Sequence, residues 1–399
     1  METNYERLSF LEYRLLVVGL LGVVLVSCNP GAREAEPFQG NWVSEAWGTY
    51  LSISGGSVEI FEYSSAQCFS VASGSTRGIA EVLALDGEEL LLTDAGRTVR
   101  LDRLEFLPED CLGEIDDDPT STFDALAATL EERYVRGVDD AWSTRVETAR
   151  PDADADEEAL FDAMTELLAP LGRSDVRLAA GGETWAAESP DQVVFPEAVA
   201  FGDGGLLRGS VGEGVSYLAF LRLSAFADDL EESQRRAVDA VDLALAGADR
   251  LILDLRGSDG GTIDHAMLIA SRFVPSARVV AQLSARGPTG LSPAGEVTVS
   301  PLPTGTFAGR VVVLVGPGTI GVAELLVAAI GDLDGVTVIG QPTAGSAGPG
   351  MVRFLPNGWS VGFPNLQVTL GDGSELVNGV RPDLISVDPL LAAVEMLGG

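Results

Sequence analysis

The chain has one imidazole, His265, and no lysine: all 25 of its basic residues are arginine. A serine hydroxyl attacks a carbonyl efficiently only when a base within hydrogen-bond reach takes its proton. With so few bases available, such chemistry has few places to occur. Ser346 is the best candidate nucleophile on residue type. Its run Thr343-Ala344-Gly345-Ser346-Ala347-Gly348 is built of small residues and reads as flexible and exposed. His265, beside Asp264, is the one imidazole that could serve it, so an Asp–His–Ser arrangement is conceivable. The opposing reading is that a lone histidine in a first helical turn faces solvent. Asp254, Asp264 and Glu324 could supply an acid pair or act as buried hydrogen-bond acceptors. One histidine and three cysteines give no expected metal set, and no cofactor is expected.

The pattern of apolar residues sets out the elements that must position these groups. Residues 41–113 alternate short apolar segments with glycine-rich turns about every ten residues, which predicts a small antiparallel β domain. Residues 114–120, Glu-Ile-Asp-Asp-Asp-Pro-Thr, read as a solvated hinge, since the aspartates lack the ligand spacing of an EF-hand. Helices are expected over 121–137 and 156–171. In the second, Leu160, Phe161, Met164, Leu167 and Leu168 share a face. Residues 176–214 look extended. From Val215 onward, strands (215–223, 250–255, 310–315, 336–339) alternate with helices (226–247, 262–273, 319–331), which implies parallel pairing. A hairpin is expected around Pro356-Asn357-Gly358, and a closing helix from about Pro389.

Three motifs lie along this frame in order. The first is Leu251-Ile252-Leu253-Asp254-Leu255-Arg256-Gly257-Ser258-Asp259-Gly260-Gly261. The second is Val311 to Val315 followed by Thr319-Ile320-Gly321-Val322-Ala323-Glu324. The third is Ile339-Gly340-Gln341-Pro342-Thr343-Ala344-Gly345-Ser346. Asn378-Gly379-Val380-Arg381-Pro382-Asp383 and the segment from Leu168 to Leu178 fit the same pattern. In this order and spacing the motifs resemble the tail-specific, or C-terminal processing, serine peptidases, including their tricorn-like branch, over about residues 121–399. Ser258 stands where that family usually has asparagine. The resemblance implies a ClpP/crotonase-like α/β domain. It also implies a serine nucleophile three residues before Glu324, where this chain has Gly321. The base of the lysine-dependent branch falls on Ser346, and the histidine of the tricorn-like branch falls on Asp175. Nucleophile and both bases are thus replaced together. The resemblance places an oxyanion at the amides of Gly260, Gly261 and Val322, where a peptide carboxylate or carbonyl could bind. The same glycines also suit a turn that needs positive φ and close helix–strand packing.

The N-terminus carries a twelve-residue apolar run, 15–26, too short to span a bilayer comfortably and suited to a signal peptide. It ends in Leu25-Val26-Ser27-Cys28, which resembles a bacterial lipobox with Cys28 as the lipidated residue. Asn29 suggests, by analogy, the outer membrane facing the periplasm. The alternative is an uncleaved anchor with an incidental cysteine. Cys68 and Cys111 then remain, either as a disulfide, worth roughly 3–4 kcal/mol in the chain-entropy model, or as buried thiols. A net charge of −35 argues against nucleic acid and anionic lipid surfaces.

The expected organisation is a signal peptide (1–27), a tether (28–40), the β domain (41–113), a linker (114–120) and a peptidase-like domain (121–399). The last has a helical part at 121–185 and an α/β core at 215–399. The fold class is α+β multidomain. The expected function is that of an exported, catalytically inactive homologue that binds peptide or unfolded protein segments or acts as a scaffold. Two alternatives stay open: an active serine-type peptidase with its nucleophile relocated to Ser346, and a function seated in the β domain.

Overall fold

The computed structural model describes residues 36–76, 82–94, 97–172, 175–187, 193–196, 200–201, 206–223, 230–303, 305–346 and 350–398. Cys28 and the apolar run lie outside the described residues. The chain divides into two compact units. The first is Met1–Ser189 with Ala285–Pro293 and Met351–Asn365; the second is Pro190–Ser284, Ala294–Gly350 and Leu366–Gly399. This division cuts across the span expected as one domain, 121–399.

In the first unit, seven strands form an antiparallel sheet: β1 (Gly40–Ser44), β2 (Thr49–Ser54), β3 (Ser57–Tyr63), β4 (Cys68–Ser75), β5 (Leu83–Asp86), β6 (Glu89–Asp94) and β7 (Arg97–Leu104). Their order is β4-β3-β2-β1-β7-β6-β5. The β2–β3 hairpin turns on Gly55-Gly56, both at positive φ, as a two-residue hairpin requires. Trp42, Leu51, Ile53, Val58, Leu90 and Leu101 bury one face. Cys68 and Cys111 are joined by a disulfide.

Helix α1 (Pro119–Arg133) begins directly after Asp118, whose carboxylate accepts from the Ser121 amide at 3.1 Å. The expected hinge therefore ends in a helix cap, with proline at the first helical position. Helix α2 (Trp142–Ala149) was not expected, because its only buried residue is Trp142 and so it shows no apolar periodicity. Helix α3 (Glu157–Leu168) is capped by Asp156 and buries Leu160, Met164, Leu167 and Leu168. Strands β8 (Arg177–Ala180) and β9 (Glu183–Ala186) join a hairpin of β19 (Met351–Phe354) and β20 (Ser360–Phe363) in the order β19-β20-β8-β9. The helices bury Phe123, Leu126, Leu130, Met164 and Leu167 against Met351, Leu355, Trp359, Val361 and Phe363. That shared core is why the helical segment and the late hairpin belong to one unit.

In the second unit the sheet order is β10-β11-β12-β13-β17-β18-β22. It is built from β10 (Ala200–Phe201), β11 (Leu206–Gly212), β12 (Val215–Phe220), β13 (Arg250–Asp254), β17 (Arg310–Val315), β18 (Val336–Gly340) and β22 (Leu384–Ile385). From β12 to β22 the pairing is parallel. Between β13 and β17 the chain adds β14 (Arg278–Gly287), β15 (Gly290–Leu291) and β16 (Gly295–Val299), and β21 (Leu366–Leu370) pairs with β14. These strands were not expected.

Helices α4 (Leu230–Leu245), α5 (Ile263–Ala270) and α6 (Val322–Ile330) pack in sequence on one another, and α7 (Pro389–Leu397) packs on β17 and β18. Ile252, Val312, Leu314 and Ile339 bury one sheet face together with Ala393 and Leu397. Leu251, Leu253, Val311 and Val313 are buried as well. With both faces covered, these strands read as continuous apolar runs. Helix α6 starts at Val322 rather than 319. Thr319 Oγ1 donates to the Leu255 carbonyl and accepts from the Gly316 amide, and this fixes a turn ahead of the helix.

Candidate functional site

The motif residues of the second unit meet beyond the ends of β13 and β17. Asp254, the last residue of β13, is buried. It accepts from the Tyr217 hydroxyl at 2.5 Å and from Arg256 Nη2 at 2.7 Å. Burial of the Tyr217 hydroxyl, and then the Asp254 carboxylate beside it, push its pKa far above the ordinary range. This triad holds the start of the turn. The turn is tied to the next strand's turn because the Ile320 amide donates to the Ser258 carbonyl at 2.9 Å.

Gly260 and Gly261 follow, with φ of 103° and 142°. A Cβ on Gly261 would sit 1.8 Å from the Leu223 carbonyl oxygen, so no side chain fits there. The packing that forces glycine is a backbone bridge: the Leu223 amide donates to Gly260 O and the Thr262 amide donates to Leu223 O. A Cβ on Gly260 would lie 3.9 Å from the Val322 nitrogen. That Cβ would meet the Ile320 carbonyl oxygen first, at 3.5 Å, so Gly260 lies against the turn that leads into α6 and its first amide, one of those a helix leaves without an intrahelical partner. The packing role expected for these glycines is met by this geometry.

Gly321, at the N-cap of α6, has φ 62° and ψ −117°, a backbone conformation that suits glycine. Its amide donates to Glu324 Oε2 at 3.0 Å and to Ser346 Oγ at 2.5 Å. Glu324 is completely buried. Its carboxylate also accepts from the amides of Gly345 (2.7 Å) and Ser346 (2.9 Å), from the Ser346 hydroxyl (2.9 Å), and from the Thr343 hydroxyl. Burial pushes the Glu324 carboxyl above its ordinary range, while these donors pull the other way.

Ser346 thus sits inside this cage, 2 % exposed. The exposed setting read for Ser346 is corrected: at Gly345 and Ser346 the backbone amides approach a buried carboxylate. The Ser346 hydroxyl donates its proton to an acceptor already saturated by other donors, which is the geometry of a structural link.

His265 is likewise buried, 1 % exposed, which corrects the solvent-facing reading. Its Nδ1 lies 2.6 Å from Thr262 Oγ1, the N-cap of α5. Burial lowers its pKa to about 4, so the ring is neutral at neutral pH. Asp264 is its sequence neighbour, and adjacent helical residues point to different faces. Asp175 lies in the first unit, partly buried, just before β8. Among the described residues, no group of three or more His, Cys, Asp or Glu side chains gathers as a metal site.

Thr343 and Gly345, which complete the cage, and Tyr217, which completes the triad, were missed in the sequence. The sequence carries a signal for the local part of the cage alone, since Gly321 and Glu324 have the spacing of a capping box; Thr343 and Gly345 reach it from a distant turn. Tyr217 becomes legible only from the register that pairs β12 with β13.

Residues 217–386 match the family model described as Peptidase family S41. The Bacillus subtilis carboxy-terminal processing protease CtpA is 27% identical over 157 residues, which are 39% of this chain and 32% of that protein. A carboxyl-terminal-processing protease of Synechocystis is 26% identical over 186 residues, 46% of this chain and 41% of that protein. The chain therefore matches less than half the length of either relative. A solved Parabacteroides merdae protein, proposed to be a peptidase, superposes with a TM-score of 0.58 at 21% identity, covering 71% of this chain and 96% of that one. A Streptococcus agalactiae lipoprotein superposes with a TM-score of 0.50 at 13% identity, covering 74% of this chain and 99% of that one. These two likenesses show a shared fold.

Proposed function

The chain carries a peptidase family S41 domain over residues 217–386, and from that premise we propose that it is a non-catalytic homologue that binds peptide or unfolded protein segments at the bacterial cell envelope. The observation that carries this reading is the cage at the start of α6. Gly321 presents an amide where a nucleophile's side chain would stand, and Ser346 spends its hydroxyl on that amide and on Glu324. No lysine exists in the chain to act as a base, and the one histidine is buried and held neutral. What remains is a concentration of backbone donors at Gly260, Gly261 and Val322. Such amides attract a carboxylate or a peptide carbonyl whatever side chains surround them. Export as a lipoprotein acylated at Cys28, on the outer membrane facing the periplasm, belongs to the same proposal and rests on the N-terminal sequence.

Fluorescence anisotropy with labelled peptides tests the binding. Gly260→Ala sets a methyl group beside the Val322 amide and should weaken peptide binding about tenfold, the cost of one good hydrogen bond lost. Unchanged affinity in this variant would remove the amides from the site.

A further inference from the structure

We propose that residues 105–115 form a second, non-covalent membrane contact, in which Phe106, Leu112 and Ile115 rest in a zwitterionic lipid surface beside the anchored N-terminus. The inference rests on the lipoprotein reading of Cys28. The three side chains are 75 %, 68 % and 47 % exposed, and they lie within ten residues of one another. Their exposure is built in. Cys111 is buried and bonded to Cys68 on β4, and its amide closes a turn onto the Pro108 carbonyl at 3.1 Å. The 3-10 helix Glu109–Leu112 is thereby pinned at its inward side, with Leu112 left outside.

The position of this segment names its partner. The incoming chain is hydrogen-bonded alongside it: Arg103 donates to the Gln39 carbonyl at 3.3 Å, and the Asn41 amide side chain donates to the Glu105 carbonyl at 3.5 Å. Phe106 is the next residue. Glu36, where the described residues begin, lies eight positions after Cys28. A fully extended segment of that length spans about 28 Å at most. An acyl chain on Cys28 would hold Glu36 within that reach of the bilayer, and with it the Gln39–Asn41 segment that is hydrogen-bonded beside Phe106. Apolar side chains so confined gain by leaving water for the interface. Glu105, Glu109, Asp110, Glu114, Asp116 and Asp117 bracket them, and these carboxylates repel an anionic surface. The surface that fits is therefore zwitterionic.

The test uses the chain from Cys28 to Gly399. Because Cys68 and Cys111 are paired, Cys28 is the one free thiol and can be coupled to a maleimide lipid in phosphatidylcholine vesicles. Amide hydrogen exchange is then compared between coupled and uncoupled protein. Exchange over 104–116 should slow on coupling. The slowing should be lost in Phe106→Ser/Leu112→Ser, and should weaken when phosphatidylglycerol is added. Identical exchange in coupled and uncoupled protein would overturn the proposal. The chemical coupling makes this result independent of natural acylation, which is read separately from the mass of the N-terminal peptide after expression in an exporting host.

Discussion

The resemblance sets a serine nucleophile at Gly321 and its base at Ser346 or Asp175, and the two side chains that could have taken over that chemistry, Ser346 and His265, are committed elsewhere. Ser346 is a donor to Glu324 and an acceptor from Gly321. His265 is neutral and pairs with Thr262. The histidine gives a clean prediction because it is the only one in the chain. Its folded pKa, about 4, lies below the ordinary 6.5. The unfolded chain therefore takes up a proton first as pH falls. Stability from this group is complete above pH 6.5 and declines towards pH 4, by roughly 3 kcal/mol. Glu324, with its pKa raised by burial, has the opposite sign: its contribution is complete at low pH and is lost as pH rises through its folded pKa. Comparing chemical denaturation of the protein and of His265→Gln between pH 7 and pH 4 isolates the histidine. The variant should lose less stability over that window. Parallel profiles would contradict the burial argument.

At the scale of elements, the turns after β13 and β17 carry the candidate site, and Gly261 is their tightest point. Gly261→Ala puts a methyl group into the Leu223 carbonyl. The backbone bridge between Leu223 and Gly261 must then open, and the denaturation midpoint should fall by the equivalent of roughly 3 kcal/mol or more. A shift below 1 kcal/mol would mean that the bridge is easily displaced. The same elements show what was legible in the sequence. Strand 310–315 and the hairpin around Pro356-Asn357-Gly358 were legible because apolar runs and turn residues are local signals. The start of α6 was not, because Thr319 is held by Leu255, sixty-four positions away. The Glu324 cage was half legible. Its capping-box spacing lies in the sequence, while its ties to Thr343, Gly345 and Ser346 depend on how two distant turns meet.

At the scale of the whole chain, segments far apart in sequence complete the first unit. Arg133 and Arg353 are both buried. Arg353 donates to the carbonyls of Gly48 and Tyr63 and pairs with Glu62 at 3.4 Å. Glu62 in turn accepts from the Phe354 amide at 2.8 Å. Arg133 pairs with Glu132, donates to the Glu45 carbonyl at 3.4 Å and lies 5.3 Å from the Tyr63 ring centre. The β domain that the sequence sets apart keeps its own apolar core but is tied to the rest of the first unit by these buried polar contacts. Deleting residues 29–115 would remove Glu62 and the two carbonyls from Arg353 and the Glu45 carbonyl from Arg133, at a cost of about 3–5 kcal/mol for the broken buried Arg353–Glu62 pair. The truncated chain should be protease-sensitive and lack a cooperative thermal transition. A cooperative transition in the truncation would show that the β domain is a separable module.

The central claim is that the S41 frame is kept while its hydrolytic chemistry is gone. The most direct test incubates a diverse peptide library with the chain from Asn29 and reads new termini by mass spectrometry. A carboxy-terminal processing protease serves as positive control, and Gly321→Ser is run alongside. The account predicts no new termini from the protein, and none from Gly321→Ser, because a restored hydroxyl would still lack a base. Cleavage by the unmodified chain that disappears in Ser346→Ala would contradict it and place a working nucleophile inside the Glu324 cage.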